Sequence, residues 1–155
     1  MHRMKEHQNL FRDLQEDFRK MKKNLLVAQS GGPTAAINAT LAGVIKQAIK
    51  EEQIDQVYGA CYGIQGVLEQ KFVNLTEKVD TEEKLEKLKR TPAAALGSCR
   101  FKLNDIKEDD SQYQEIVDIL HKMNIGYFVY IGGNDSMDTV GKMSRYVKEH
   151  QMDVK

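Results

Sequence analysis

Three short stretches of the 155-residue chain hold residue types that can handle a phosphate or a metal ion. The first is Ser30-Gly31-Gly32-Pro33-Thr34. Lacking Cβ atoms, Gly31 and Gly32 let backbone N–H groups come close to a ligand, and Pro33 suits the first position of a helix, where its missing N–H leaves nothing unpaired. A helix starting there aims free N–H groups and a positive dipole end at the loop, which makes a site for phosphate. The same glycines also serve a tight strand-to-helix turn that binds nothing, and spacing alone leaves both readings standing. Neither G-x-x-x-x-G-K-[ST] nor G-x-G-x-x-G occurs, so the nucleoside-triphosphatase P-loop and the dinucleotide fingerprint find no support.

The second stretch is Gly97-Ser98-Cys99-Arg100, a flexible turn with an arginine whose planar fork can grip phosphate oxygens in pairs. Read alone, Arg100 serves equally as a surface ion-pair partner, and Cys99 reads as a small filler rather than a nucleophile. The third is Gly132-Gly133-Asn134-Asp135-Ser136, where an amide and a carboxylate follow two glycines at the start of a helix. Their oxygens can hold Mg²⁺ with its waters and bridge it to a phosphate chain. Asp135 can also be the N-cap of that helix, with Asp138 favoured by the dipole, and the two roles are compatible. Asn38-Ala39-Thr40, Asn74-Leu75-Thr76 and Asn134-Asp135-Ser136 fit the glycosylation triplet, which carries little weight in a chain without a secretory signal.

The elements that must position these loops alternate along the chain. Leu25-Leu26-Val27-Ala28 is an apolar run suited to a strand buried on both faces, and the helix after it puts Ile37, Leu41, Val44, Ile45 and Ala48 on one side. Gln56 to Tyr62 reads as a second strand ending in a turn at Gly63-Ile64-Gln65-Gly66, with Phe72 to Leu75 as a short edge strand. Thr81 to Arg90 is a charged, solvated helix. An amphipathic helix through Tyr113, Ile116, Val117 and Leu120 leads into the strand Tyr127–Ile131, and a last helix turns Met137, Val140, Ser144 and Val147 inward. This order predicts a parallel α/β sheet with right-handed crossovers, with ligands bound beyond the carboxyl ends of its strands. Ahead of it, Phe11, Leu14, Phe18 and Met21 recur at helical spacing, which predicts an amphipathic helical extension over residues 1–22.

Composition excludes several classes. The 23 basic and 23 acidic side chains cancel, so no global charge draws the chain to nucleic acid or anionic membrane. No apolar run is long enough to span a bilayer, and two distant cysteines make neither a disulfide scaffold nor a zinc site. A reducing cytoplasm is the expected setting.

Taken in this order and at these spacings, the loops resemble the phosphofructokinase family, from about Lys23 to the last residue. LLVAQSGGPTAAINATLAGVI is similar to the family's opening strand, phosphate loop and first helix, YGIQGVLEQKFVNLT to its second segment, GSCRF to its donor-binding arginine loop, and YFVYIGGNDSMDTV to its metal-and-phosphate loop. The resemblance implies a Rossmann-like three-layer fold around a parallel sheet, with residues 23–155 forming an incomplete donor-binding domain. By the same resemblance, Gly31, Gly32, Gly133 and Ser136 bind the phosphoryl donor and Arg100 grips its terminal phosphate. Asn134 stands where the family usually places a Mg²⁺-binding aspartate, and its amide oxygen is a neutral, weaker ligand. Asp135 takes the position at which ATP users typically have glycine and pyrophosphate users aspartate. A carboxylate in the space of the nucleotide's α-phosphate repels it, while pyrophosphate stops short.

The implied activity is the pyrophosphate-dependent branch: phosphoryl transfer from pyrophosphate to fructose 6-phosphate, giving fructose 1,6-bisphosphate in glycolysis, with Mg²⁺ as cofactor. The alternatives are an ATP-dependent 6-phosphofructokinase and a non-catalytic phosphate-binding module. The family's Thr-x-Asp-x-Asp segment, which supplies the base, does not occur in these residues. The expectation is therefore a donor-side half-site, joined into a homo-oligomer when complete, without nucleic-acid or membrane partners.

Overall fold

Leu25 and Val27 pack into one hydrophobic cluster while Leu26 and Ala28 pack into another, so a single strand separates two cores. That strand is β1 (Lys23–Gln29), and α1 (Ile37–Ala48), β2 (Ile54–Ala60), α2 (Gly63–Leu68), β3 (Phe72–Asn74), α3 (Leu75–Lys78), α4 (Glu82–Arg90), α5 (Ser111–Lys122), β4 (Ile125–Ile131) and α6 (Asn134–Glu149) follow it. The structure is a computed structural model that describes residues 12–14, 17 and 22–155. Of the expected N-terminal extension, residues 12–14 and 17 are helical, and Phe11, Phe18 and Met21 lie outside the described residues.

The sheet order is β3-β2-β1-β4, which puts β1 at the centre. β2 and β4 pair with it in parallel, with Leu25 opposite Val57 on one side and Tyr127 on the other. Helices cover both faces: α1, α3 and α4 lie over Leu25, Val27 and Val57, and α2, α5 and α6 lie over Leu26, Ala28 and Tyr130. The three-layer α/β/α arrangement is as expected.

The sheet itself is mixed, which corrects the expectation of an all-parallel one. β3 runs antiparallel to β2, with Gly59 opposite Val73. A parallel crossover takes about a dozen residues or more, usually a full helix. The segment between β2 and β3 holds only the six-residue α2, too short to carry the chain back along the sheet. The chain reverses at the carboxyl end instead, where the Cys61 N–H bonds the Lys71 carbonyl at 2.9 Å. The Gly63–Gly66 segment, expected as a turn, is the first part of α2.

Two helices differ from their expected form. Helix α1 does not begin at Pro33, which is exposed within the loop. It begins at Ile37, the first residue after the loop whose side chain reaches the core. In α6 the inward row is Ser136, Thr139, Met143, Tyr146 and Val147, whereas Met137 is half exposed and Ser144 faces solvent. A small side chain is needed at 136, because Ser136 lies against the backbone of Gly132.

After α6 the chain returns to the outer edge of β4, where the Phe128 N–H bonds the Lys155 carbonyl at 2.8 Å and the Lys155 N–H bonds the Gly126 carbonyl at 2.9 Å. Among the described residues, no helix is long and apolar enough to cross a membrane.

Candidate functional site

Because β1 and β4 are parallel neighbours, the loops that follow them leave the sheet side by side. Gly31 has φ +79°, and a Cβ there would stand 3.2 Å from the Gly133 nitrogen. A Cβ on Gly132 would overlap the Ser136 side chain and come within 3.0 Å of the Ser30 carbonyl oxygen. The two loops therefore interlock through one glycine of each pair. A third segment is stitched along them: Ser98 Oγ donates to the Gly31 carbonyl at 2.6 Å, and Ser30 Oγ to the Cys99 carbonyl at 3.2 Å.

The three segments enclose a cleft of about 400 Å³. Its floor is buried and hydroxyl-rich, formed by Ser30, Tyr130 and Ser136, and its mouth is formed by the exposed Arg100, Lys102 and Asp135. Burial pushes the Tyr130 phenol above the ordinary value of 10.0. Its oxygen accepts from the Ile64 N–H at 3.0 Å and lies 4.0 Å from Cys99 Sγ. Ser136 is only 2% exposed, and its hydroxyl has no hydrogen-bond partner among the described residues. The N–H groups of Gly31 and Gly32 make no hydrogen bond among the described residues. The first bond of α6 runs from Met137 N–H to the Gly133 carbonyl at 3.1 Å, which leaves the three amides before it free. A separate hollow of about 310 Å³ between α6 and the outer edge of β4 is lined mostly by apolar side chains such as Phe128, Met143 and Val147.

The expected site residues fall into two groups. Gly31, Gly32, Arg100, Asp135 and Ser136 all line the cleft. Gly133 and Asn134 do not line it; Gly133 packs its backbone against Gly31, and Asn134 is the exposed first residue of α6. Arg100 is exposed and makes no ion pair among the described residues. Asp135 is not the N-cap. Gly133 holds that position with an extended backbone, so the helix starts early enough to place Asp135 in its first turn, where the dipole favours a carboxylate. The Asp135 carboxylate meets Lys102 Nζ at 3.3 Å. Asp138 is held by Lys142 at 2.8 Å, and this ammonium keeps its carboxyl below the usual range. Among the described residues, no group of three or more His, Cys, Asp or Glu side chains is placed to hold a metal ion.

Sequence reasoning missed three contributors. Lys102 follows Arg100 by two residues in a segment with no helix or strand, and both line the cleft. Gln29 and Asn38, both fully buried, form a closed amide network behind the loops. Gln29 Nε2 donates to Asn38 Oδ1 at 3.0 Å, Asn38 Nδ2 to the Thr91 carbonyl at 2.8 Å, and the Ala95 and Leu96 N–H groups donate to Asn38 and Gln29 at 2.9 Å each. The network ties the end of β1 and the start of α1 to the segment that leads into Gly97–Arg100. A signal was present: Asn38 sits on the same helical face as Leu41, Ala42 and Ile45, where a polar residue needs buried partners.

Residues 24–154 match the phosphofructokinase family. The chain is 44% identical over 119 residues to a protein of Rhodospirillum rubrum named pyrophosphate–fructose 6-phosphate 1-phosphotransferase, with 77% of this chain and 28% of that protein covered. A protein of the same name from Halomonas elongata is 41% identical over 123 residues, covering 79% of this chain and 29% of the relative. Among solved structures, pyrophosphate-dependent phosphofructokinase from Nitrosospira multiformis superposes with a TM-score of 0.77 at 36% identity, covering 86% of this chain and 32% of that one. The chain thus spans under a third of the length of these relatives.

Proposed function

Because the chain belongs to the phosphofructokinase family, we propose that its cleft binds pyrophosphate as the phosphoryl donor for transfer to fructose 6-phosphate. The observation that carries this reading is the cleft bordered by the unbonded N–H groups of Gly31 and Gly32, with the buried Ser136 hydroxyl, which has no partner among the described residues, at its floor. A buried polar group without a partner is costly, and an anion that accepts from it removes the cost.

The residues divide the work as follows. The N–H groups of Gly31 and Gly32, with those of the first turn of α6, face the phosphate oxygens, and the helix dipole favours their charge. Ser136 Oγ donates a further bond, and the Arg100 fork grips the terminal phosphate. Phosphoryl transfer asks for positioning and charge neutralisation more than for covalent chemistry, and these groups supply both on the donor side. A Mg²⁺ ion, which would be held by Asn134 and Asp135, would supply further neutralisation of the phosphate charge. Asn134 and Asp135 are the side-chain oxygens at that helix end. Asp135 is the one carboxylate lining the cleft, and it is engaged by Lys102, so the cleft handles the donor while the base for the sugar hydroxyl comes from elsewhere.

Asp135 also favours pyrophosphate over ATP, because a nucleotide must bring its α-phosphate past a negative charge. In this reading the reaction yields fructose 1,6-bisphosphate in cytoplasmic glycolysis and the complete enzyme is a homo-oligomer. Titration calorimetry of the chain with magnesium pyrophosphate tests the donor site. Saturable binding that falls about tenfold or more in Arg100→Ala supports it; a folded chain that takes up no pyrophosphate refutes it.

A further inference from the structure

We propose that Lys102 is a specificity-determining residue: it ties Asp135 across the mouth of the cleft and thereby limits the length of phosphate chain the site admits. The inference rests on the reading of the cleft as a pyrophosphate site.

Lys102 Nζ stands 3.3 Å from Asp135 Oδ1, and the two side chains are 72% and 76% exposed. An isolated exposed ion pair contributes little to fold stability, so the position of this one is the informative part. It joins opposite walls, the segment carrying Arg100 and the first turn of α6, at the solvent edge of a cleft whose floor is Ser30, Tyr130 and Ser136. The neighbouring carboxylate, Asp138, is held by Lys142 at 2.8 Å and feels Lys102 only through its charge, without an ion-pair contact. Lys142 also donates to the Leu103 carbonyl at 3.4 Å, which fixes the backbone beside Lys102 to the same helix.

Unpaired, a carboxylate as exposed as that of Asp135 swings freely into water and repels an incoming ligand weakly. Paired with Lys102, it stays over the opening. A two-phosphate chain held at the floor ends inside this bar. A third phosphate has to break the ion pair and lie beside the carboxylate, whether or not a nucleoside is attached. Length, rather than recognition of a base, is what the pair discriminates.

Inorganic probes isolate that variable. The affinities of the full 155-residue chain for magnesium pyrophosphate and magnesium tripolyphosphate are measured by calorimetry, with melting temperatures recorded alongside. The unsubstituted chain prefers pyrophosphate, Lys102→Met narrows the preference about fivefold, as expected for loss of one exposed pair, and Lys102→Arg retains it. All three melt alike, because the side chain is exposed. If Lys102→Met still binds pyrophosphate with the preference unchanged, or Lys102→Arg loses it too, the role of Lys102 is overturned while the pyrophosphate reading stands. Equal affinity of the unsubstituted chain for both probes likewise removes the bar, and no pyrophosphate binding at all removes the site with it.

Discussion

The two double-glycine loops follow adjacent parallel strands and end in helices, yet they present different chemistry. After β1 the chain crosses the exposed residues 31–36 before α1 begins, so what it offers is loop backbone: the unbonded N–H groups of Gly31 and Gly32. After β4 the helix begins at once, so what it offers is a helix end, with the buried Ser136 and the exposed Asp135 in the first turn. The same dipeptide therefore gives a cradle of loop backbone in one place and a helix dipole in the other. Each pair also contains one glycine that packing requires and one that it does not. Gly31 and Gly132 face close neighbours, while a Cβ on Gly32 or Gly133 would meet nothing within 4 Å.

The hardest blow to this pairing should come from behind the first loop. Asn38→Ala takes the amide partner from the Ala95 N–H, the Thr91 carbonyl and the fully buried Gln29, at a cost of about 2 kcal/mol, read as a lowered melting midpoint in denaturant. Gly132→Ala drives a methyl group into Ser136 and the Ser30 carbonyl and should cost about 2 kcal/mol, whereas Gly133→Ala, its neighbour, should be close to neutral in the same experiment. Ser136→Ala separates binding from folding. It removes a hydroxyl with no partner, so the melting temperature holds or rises, while pyrophosphate affinity falls about tenfold; a fall in both would mean the hydroxyl has a structural bond after all. Gly31→Ala should cost about 1 kcal/mol for the left-handed backbone alone, with Gly32→Ala as the silent control.

The smallest effect is one of pH. Burial raises the Tyr130 phenol above its unfolded value of 10.0, so its contribution is fully present below pH 10.0 and is lost as pH rises through the folded value. Melts at increasing alkaline pH should fall more steeply for the unsubstituted chain than for Tyr130→Phe.

Much of this was legible before any coordinates. The buried run Leu25–Ala28, the alternation of strand and helix, and the three loops at one end of the sheet all follow from hydrophobic pattern and turn chemistry. What escaped was set by tertiary neighbours. Apolar character alone turns Met137 inward, but the first turn of α6 lies against the Gly132 backbone through Ser136, and Met137 is left half exposed. The reversal into β3 depended on α2 being too short, which its glycines did not announce. Asn38 belongs to a glycosylation triplet, yet its amide is fully buried and bonded to Gln29, Thr91 and Ala95, so no glycan can be attached to it in the folded chain. Lys102 carried no motif; only its distance to Asp135 gives it a meaning.

The central place of β1 has a consequence for how the site comes into being on a ribosome. Its partner residues in β4 lie about a hundred positions later, with Ala28 opposite Tyr130. At roughly 5–20 residues per second, the first glycine loop waits on the order of 5–20 s for the strand that stands beside it. A nascent chain halted before β4 already contains Ser30, Gly31, Gly32 and Arg100, but it lacks Tyr130 and Ser136 of the floor and the second wall of the cleft. On the pyrophosphate reading, the ligand can therefore stabilise the chain only once β4 and the first turn of α6 have been made.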